Sequence, residues 1–215
     1  MSTPGMSGRT RESRDFWERR YAAALTGSAP LWSAGPNAWV EAQAAGLTPG
    51  RAADVGAGEG RNALWLASRG WEAQAVDFSS SALAAGRARA TELGLAVTFT
   101  EADATTWRAD PPVDLVVMAY LQLAVDDTAA AVRSALLSLG AGGRLLLVAH
   151  DRDNLTRGVG GPQDPAILTT EVELRAAVDG LDDPGAIEVL ECAQVERHLE
   201  RGRTAIDVVL VARRA

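Results

Sequence analysis

The sequence predicts an α/β domain of the Rossmann-like, doubly wound kind, with a mainly parallel seven-stranded sheet and an antiparallel hairpin at its C-terminal edge. Three observations predict it. From about residue 51 onward, short apolar runs alternate with helical patterns of about 10 to 15 residues, the signature of strands joined by crossover helices. Two of those runs, "VDLVVMAYLQL" and "RLLLVAH", are almost unbroken by polar residues, as expected of strands covered on both faces. A glycine-rich turn, "DVGAGEG", follows the first strand directly.

The elements follow in order. Residues 1–13 are rich in Ser, Thr, Gly and Arg and are expected to be a disordered tail. Residues 14–48 are expected to form a helical cover on a core of residues 49–215, the two together making one domain. In the cover, "DFWERRYAAAL" sets Phe16, Trp17, Arg20, Tyr21 and Leu25 at helical spacings. "TGSAPLWSAGPN" is a turn-rich loop carrying Trp32, and "AWVEAQAAGL" is a second helix stopped by Gly46 and Pro49. In the core, "RAADVGAG" is a strand entering the glycine turn, "RNALWLASRG" a helix closed by Gly70, and "WEAQAVDF" a strand. "SSSALAAGRARATELG" opens on a serine cap and runs as a helix to Gly94, before a strand in "LAVTFTEADA". After "VDLVVMAYLQL" comes the helix "DDTAAAVRSALLSLGAGG" with a glycine stop, then the strand "RLLLVAH". A helix near residues 170–178 precedes "GAIEVLECAQVERHLE" and "RTAIDVVLVARR", two strands joined by "RGR".

Length and composition narrow the function. A chain of 215 residues suits one domain with a sizeable core. A net charge of -7 opposes non-specific binding to nucleic acid or to an anionic membrane, so a small-molecule substrate is the expected partner. Oligomeric state is left open between monomer and homodimer. All 21 basic residues are arginine, which excludes lysine Schiff-base and P-loop lysine chemistry. The single cysteine, Cys192, permits no internal disulfide and reads as a small buried hydrophobe. His150 and His198 fit no metal-binding spacing, and no metal is expected. The N-terminus has no apolar core of the signal-peptide type, and no run of about 18 apolar residues occurs, so a cytoplasmic location is expected.

In an open α/β sheet, ligands bind beyond the carboxyl ends of the strands. The glycine turn lies there, and its glycines run G-x-G-x-G at Gly56, Gly58 and Gly60, not in the G-x-G-x-x-G spacing of dinucleotide sites. Asp77 ends the second strand, where its carboxylate can accept from ribose hydroxyls, and Phe78 follows, where a ring can lie against a base. Asp103, after the third strand, can accept from an exocyclic amine. Together these residues describe a nucleoside site.

"DVGAGEGRN…AVDFS…EADA" resembles the class I S-adenosylmethionine-dependent methyltransferases, over roughly residues 50–150 in motif and over the C-terminal hairpin in pattern. The resemblance implies S-adenosylmethionine as cofactor and S-adenosylhomocysteine as product. It implies that Asp54, Gly56, Ala57, Gly58 and Gly60 cradle the methionine end, that Asn62 also binds the cofactor, and that Asp77 and Phe78 hold ribose and adenine. It further implies that Asp103 and Ala104 close the adenine pocket, with Met118 and Ala119 facing the sulfonium. "GEGRNALWLASRGW", with "FWERRY", "LWSAGPN" and "AYLQL", is similar to a small-molecule subgroup that includes the tellurite-resistance and thiopurine-type enzymes. That likeness implies an N-terminal aromatic cover over the cofactor, built here from Trp17, Tyr21 and Trp32.

Methyl transfer from a sulfonium needs alignment and, for a protonated nucleophile, a base. Tyr120 and the polar stretch "HDRDNLTRGVGGPQDP" lie after the fourth and fifth strands, on the ligand edge. His150, Tyr120 and Asp151 are therefore the candidate catalytic residues, with Asp153, Asn154 and Arg157 shaping a polar pocket and Gly160 and Gly161 giving a lid its freedom. The acceptor atom, O, N, S or a chalcogen, stays open. Two other functions also stay open: a non-catalytic S-adenosylmethionine-binding module and an NAD(P)-dependent oxidoreductase. The glycine spacing and the lack of a Tyr-x-x-x-Lys pair oppose the second.

Overall fold

The computed structural model describes residues 16–20 and 35–215. The expected tail at residues 1–13, Tyr21 and Trp32 lie outside the described residues. Seven strands form one sheet: β1 (Arg51–Val55), β2 (Glu72–Asp77), β3 (Val97–Glu101), β4 (Val113–Ala119), β5 (Leu139–His150), β6 (Ile187–His198) and β7 (Thr204–Arg214). Their order is β3-β2-β1-β4-β5-β7-β6. Pairs among β1 to β5 are parallel, while β7 is antiparallel to both of its neighbours, β5 and β6. The expected hairpin is present, but its second strand lies inside the sheet and its first strand forms the edge.

Helices cover both faces: α1 (Ala38–Ala44), α2 (Arg61–Ser68), α3 (Ser80–Leu93), α4 (Val125–Leu137), the single turn α5 (Asn154–Arg157) and α6 (Glu171–Asp179). Residues 16–20 are also helical. The pleat of β4 explains its unbroken apolar run. Leu115 and Val117 face a cluster with Val40, Ala63, Leu66 and Leu83 from α1, α2 and α3. Val116 and Met118 face the other cluster, with Val132, Leu136, Leu174 and Val178 from α4 and α6. Cys192 is buried within that second cluster.

Two boundaries differ from expectation. The helix α4 stops at Leu137, and the strand begins at Leu139, through glycines expected to be only a stop. The register jumps from Val113–Leu139 to Leu115–Arg144, so the extra residues bulge out of the ladder. A Cβ at Gly143 would lie 2.9 Å from the Val113 carbonyl oxygen, so bare backbone is needed in the bulge. The third strand ends at Glu101, short of "ADA", because the amides of Thr106 and Trp107 fold back onto the Asp103 carbonyl.

Candidate active site

The glycine turn is built from the chain's own backbone demands. Gly56, Gly58 and Gly60 all have positive φ, of 71°, 57° and 76°, which side-chain-bearing residues adopt only at a cost. The amides of Gly56 and Ala57 both donate to the Val76 carbonyl, tying the turn to the end of β2. A Cβ on Gly56 would lie 2.6 Å from Leu121 Cδ1, so the turn also sits directly against the chain leaving β4.

Asp54 and Asn62 hold the turn from behind. Helix α2 starts at Gly60 with no side-chain cap, and Asp54 supplies what the cap would. Its Oδ2 accepts from the Ala63 amide at 3.2 Å, and its Oδ1 accepts from Asn62 Nδ2 at 3.3 Å. Asn62 Oδ1 in turn accepts from the Asn37 amide at 2.9 Å, and the Asn37 side chain caps α1. All three side chains are buried, so the network joins α1, β1 and α2 beneath the turn. Burial pushes the Asp54 carboxyl up to about 6.

Asp77 is fixed from the front. Its Oδ2 accepts from the Gly58 amide at 2.8 Å and its Oδ1 from the Ser79 amide at 2.9 Å. Burial raises its pKa against those bonds. Asp103 accepts from the Thr105 amide and hydroxyl through Oδ1. Asp77 and Asp103 line one cleft of about 830 Å³, counting its open mouth, together with Gly56, Ala57, Asn62, Phe78 and Ala104. Ala119 and Tyr120 close the far end, and Trp17 forms part of the wall. Arg61, Ala102, Leu121, Gln122 and Leu123 complete the lining, and the sequence had singled out none of them. Gly58, Gly60 and Asp54 support the cleft without lining it, and Met118 is buried in the core beneath its end.

Beyond Tyr120 the polar residues gather on Asp207. This aspartate is 1% exposed and stands near the start of β7, which its antiparallel course brings to the ligand edge. Its Oδ2 accepts from the Tyr120 hydroxyl at 2.7 Å and from Arg197 Nε at 2.7 Å, and its Oδ1 lies 3.1 Å from His150 Nδ1. Burial alone would raise its pKa, but the bonds from His150, Arg197 and Tyr120 hold it below the ordinary value. Burial and the neighbouring carboxylate push the Tyr120 phenol upward, so it stays a neutral donor. Tyr120 is also the only non-glycine residue with positive φ among the described residues, at 57°, a strained conformation of the kind found at functional sites. The His150 ring lies 4.5 Å from the Tyr120 ring, centroid to centroid. A Cβ on Gly161 would lie 3.2 Å from three atoms of the imidazole, so bare backbone packs over that ring. Asp207 had one signal in the sequence: a lone acid inside the apolar run "AIDVVLVA".

Asp151 points elsewhere. It is buried, and its Oδ1 accepts from the Asp153 amide and from Gln194 Nε2 on β6. The glycine-bearing loop after it is tethered as well. Asn154 Nδ2 donates to the Gly160 carbonyl, Asn154 Oδ1 accepts from the Ile206 amide, and the Val159 amide donates to the Thr204 carbonyl. Among the described residues no cluster of three or more His, Cys, Asp or Glu could hold a metal ion, and no helix is long and apolar enough to cross a membrane.

Residues 52–143 match a family model described as a methyltransferase domain. This segment is similar to methyltransferase domains. It carries the glycine turn, Asp77, Phe78, Asp103 and Tyr120, and the likeness to class I methyltransferases read from those motifs is borne out. Around this segment the whole chain keeps a fold shared with solved structures that include methyltransferases. TehB from Haemophilus influenzae is 18% identical, with a TM-score of 0.67 over 94% of this chain and 67% of that one. Magnesium protoporphyrin IX methyltransferase (ChlM) from Synechocystis PCC 6803, solved with bound SAM, is 15% identical, with a TM-score of 0.67 over 100% of both chains. The [4+2]-cyclase SpnF is 18% identical, with a TM-score of 0.68 over 100% of this chain and 99% of that one. No curated protein matches the chain in sequence. The cyclase on the same fold means that the reaction has to be argued from the site.

Proposed function

We propose that the protein is an S-adenosylmethionine-dependent methyltransferase acting on a small molecule. One observation carries this: the glycine turn, Asp77, Phe78 and Asp103 converge on a single cleft that ends at Ala119 and Tyr120. Asp77 would hold the ribose. Its two amide bonds set its direction, and each oxygen keeps a lone pair for a ribose hydroxyl. Phe78, Asp103 and Ala104 would take the adenine. Gly56 and Ala57 would lie along the methionine end, with the Arg61 guanidinium as partner for its carboxylate. When bound, the cofactor would supply a methyl group already activated on sulfur for in-line transfer to the acceptor.

The protein's own task is then to align the acceptor and take up any proton it loses. His150 does not line the cleft but stacks against Tyr120 at its end, and would be the base for an acceptor bound there. With Nδ1–H donated to Asp207, its Nε2 is the proton-accepting nitrogen, and Nε2 has no hydrogen-bond partner among the described residues. Tyr120, committed to Asp207, shapes the end of the cleft instead of accepting protons. Asp151 serves the turn beneath the loop. Trp17 lines the cleft without filling it, which supports an enzyme over a plugged binding module. The net charge of -7 supports a small acceptor over a nucleic acid.

Calorimetry on ligand-stripped protein tests the cofactor. S-adenosylhomocysteine is expected to bind in the micromolar range, and NADH is not. Asp77→Ala is expected to weaken the complex about tenfold or more, since ribose hydroxyls lose a charged acceptor. No binding by the unaltered protein would overturn the proposal, and unchanged affinity in the variant would remove Asp77 from the site.

A further inference from the structure

The N-terminal turn at residues 16–20 makes one polar connection that the site described above does not use. Trp17 lines the cleft, and its neighbour Glu18 reaches across to the start of α3. Glu18 Oε2 accepts from Ser79 Oγ at 2.5 Å. Its Oε1 accepts from Ser81 Oγ at 2.5 Å, from the Ser81 amide at 3.3 Å and from Ser80 Oγ at 3.4 Å. The serine run "SSS" thus meets one carboxylate that is more than sixty residues earlier in the chain. Ser79 also caps α3 by accepting from the Ala82 amide, and its own amide donates to Asp77 Oδ1. One side chain therefore joins the wall residue Trp17 to the backbone that orients the ribose-binding carboxylate. Burial works against the charge on Glu18, but the serine bonds outweigh it and keep the carboxyl below its ordinary value.

We infer that Glu18 is a positioning residue for the cofactor site, latching the N-terminal turn onto the serine run and so holding Trp17 in the wall of the cleft. The inference rests on the cofactor assignment above. Without the latch, the polar tie between residues 16–20 and α3 is lost. The wall then opens and bound ligand escapes faster. Glu18 touches neither the ligand nor the reacting atoms in this scheme, so its effect belongs in residence time and affinity.

The test is a double-mutant cycle read by S-adenosylhomocysteine binding. Ser81 is the useful partner because its amide and its hydroxyl both donate to Glu18 Oε1. Glu18→Ala is expected to weaken binding about tenfold, chiefly through faster release in stopped-flow displacement, as loss of hydrogen bonds to a charged group implies. Ser81→Ala is expected to weaken it several-fold. The double variant is expected to be no weaker than Glu18→Ala alone, since both remove the same contact. Trypsin cleavage at Arg19 and Arg20 gives an independent readout: ligand should protect those bonds in the unaltered protein and fail to do so in Glu18→Ala. If Glu18→Ala binds within twofold of the unaltered protein, or if the two substitutions simply add, the latch is overturned and the cofactor assignment stands. If the unaltered protein binds no S-adenosylhomocysteine, both are overturned together.

Discussion

A carboxylate kept from water at the root of a binding turn is a local expense, and Asp54 shows what it secures. Its two oxygens take the Ala63 amide and Asn62 Nδ2, so the start of α2 is held where no side chain of its own could cap it. Desolvation lifts its pKa from 3.8 to about 6. The sign follows. A carboxyl with a raised folded value binds its proton more tightly folded than unfolded, so its contribution to stability grows as pH falls from about 6 towards 3.8 and is flat above 6. Asp54→Asn removes this titration and leaves every other carboxylate in place. Between pH 7 and pH 5 the unaltered protein is expected to gain roughly 1 kcal/mol on the variant in urea unfolding. An identical pH response in the two proteins would contradict the assignment. Much at this scale was legible. Asp77, Phe78, Asp103 and Ala104, which line the cleft, could be named because each lies at or within three residues of a strand end. Arg61 and Gln122 could not, because a polar residue beside a loop looks like any solvated one until the loop is closed around it.

At the scale of elements, α3 packs tightly against the glycine turn. A Cβ on Gly86 would lie 2.5 Å from Phe99 Cε1 and 2.7 Å from the Glu59 carbonyl oxygen. Helix propensity alone favours alanine there by about 1 kcal/mol. Overpacking costs about 1–3 kcal/mol, and here one obstacle is backbone that cannot rotate away. Sterics should therefore win. Gly86→Ala is expected to lower the melting temperature by several degrees, with weaker S-adenosylhomocysteine binding because the displaced carbonyl belongs to the turn. A variant as stable as the original would mean that α3 can slide outward freely. The strands and helices were readable from period and punctuation, since burial on both sheet faces writes itself as apolar runs. Their ends were less so. The bulge that carries β5 back to Leu139 depends on pairing with β4, and no local pattern in "LGAGGR" contains that partner.

At the scale of the whole molecule, Asp207 joins the ends of four strands. Tyr120 follows β4, His150 ends β5, Arg197 lies on β6 and Asp207 itself on β7. Removing the acceptor leaves a phenol, an imidazole and a guanidinium without it at once. Asp207→Ala is expected to cost about 3 kcal/mol in urea unfolding, the range for breaking a buried charged pair. Its depressed pKa gives stability that is present above the unfolded carboxylate value and lost as pH falls through the lower folded one. The gap between variant and parent should therefore close in strong acid, and a loss below about 0.5 kcal/mol at neutral pH would make the cluster a surface ornament. The sheet and its hairpin were legible because they rest on pattern. This cluster was not, because four residues spread over almost ninety positions meet only once the topology is known.

The seating of β7 between β5 and β6 has a consequence for how the molecule is made. The final strand of the sheet to leave the ribosome is an interior one, eleven residues long, and it brings Asp207 with it. Until it inserts, the flanks of β5 and β6 stay open to each other or to a stranger, and His150 has no carboxylate to lean on. Sheet closure thus waits on the last strand to be made, and a chain halted before it would own a glycine turn but no working edge.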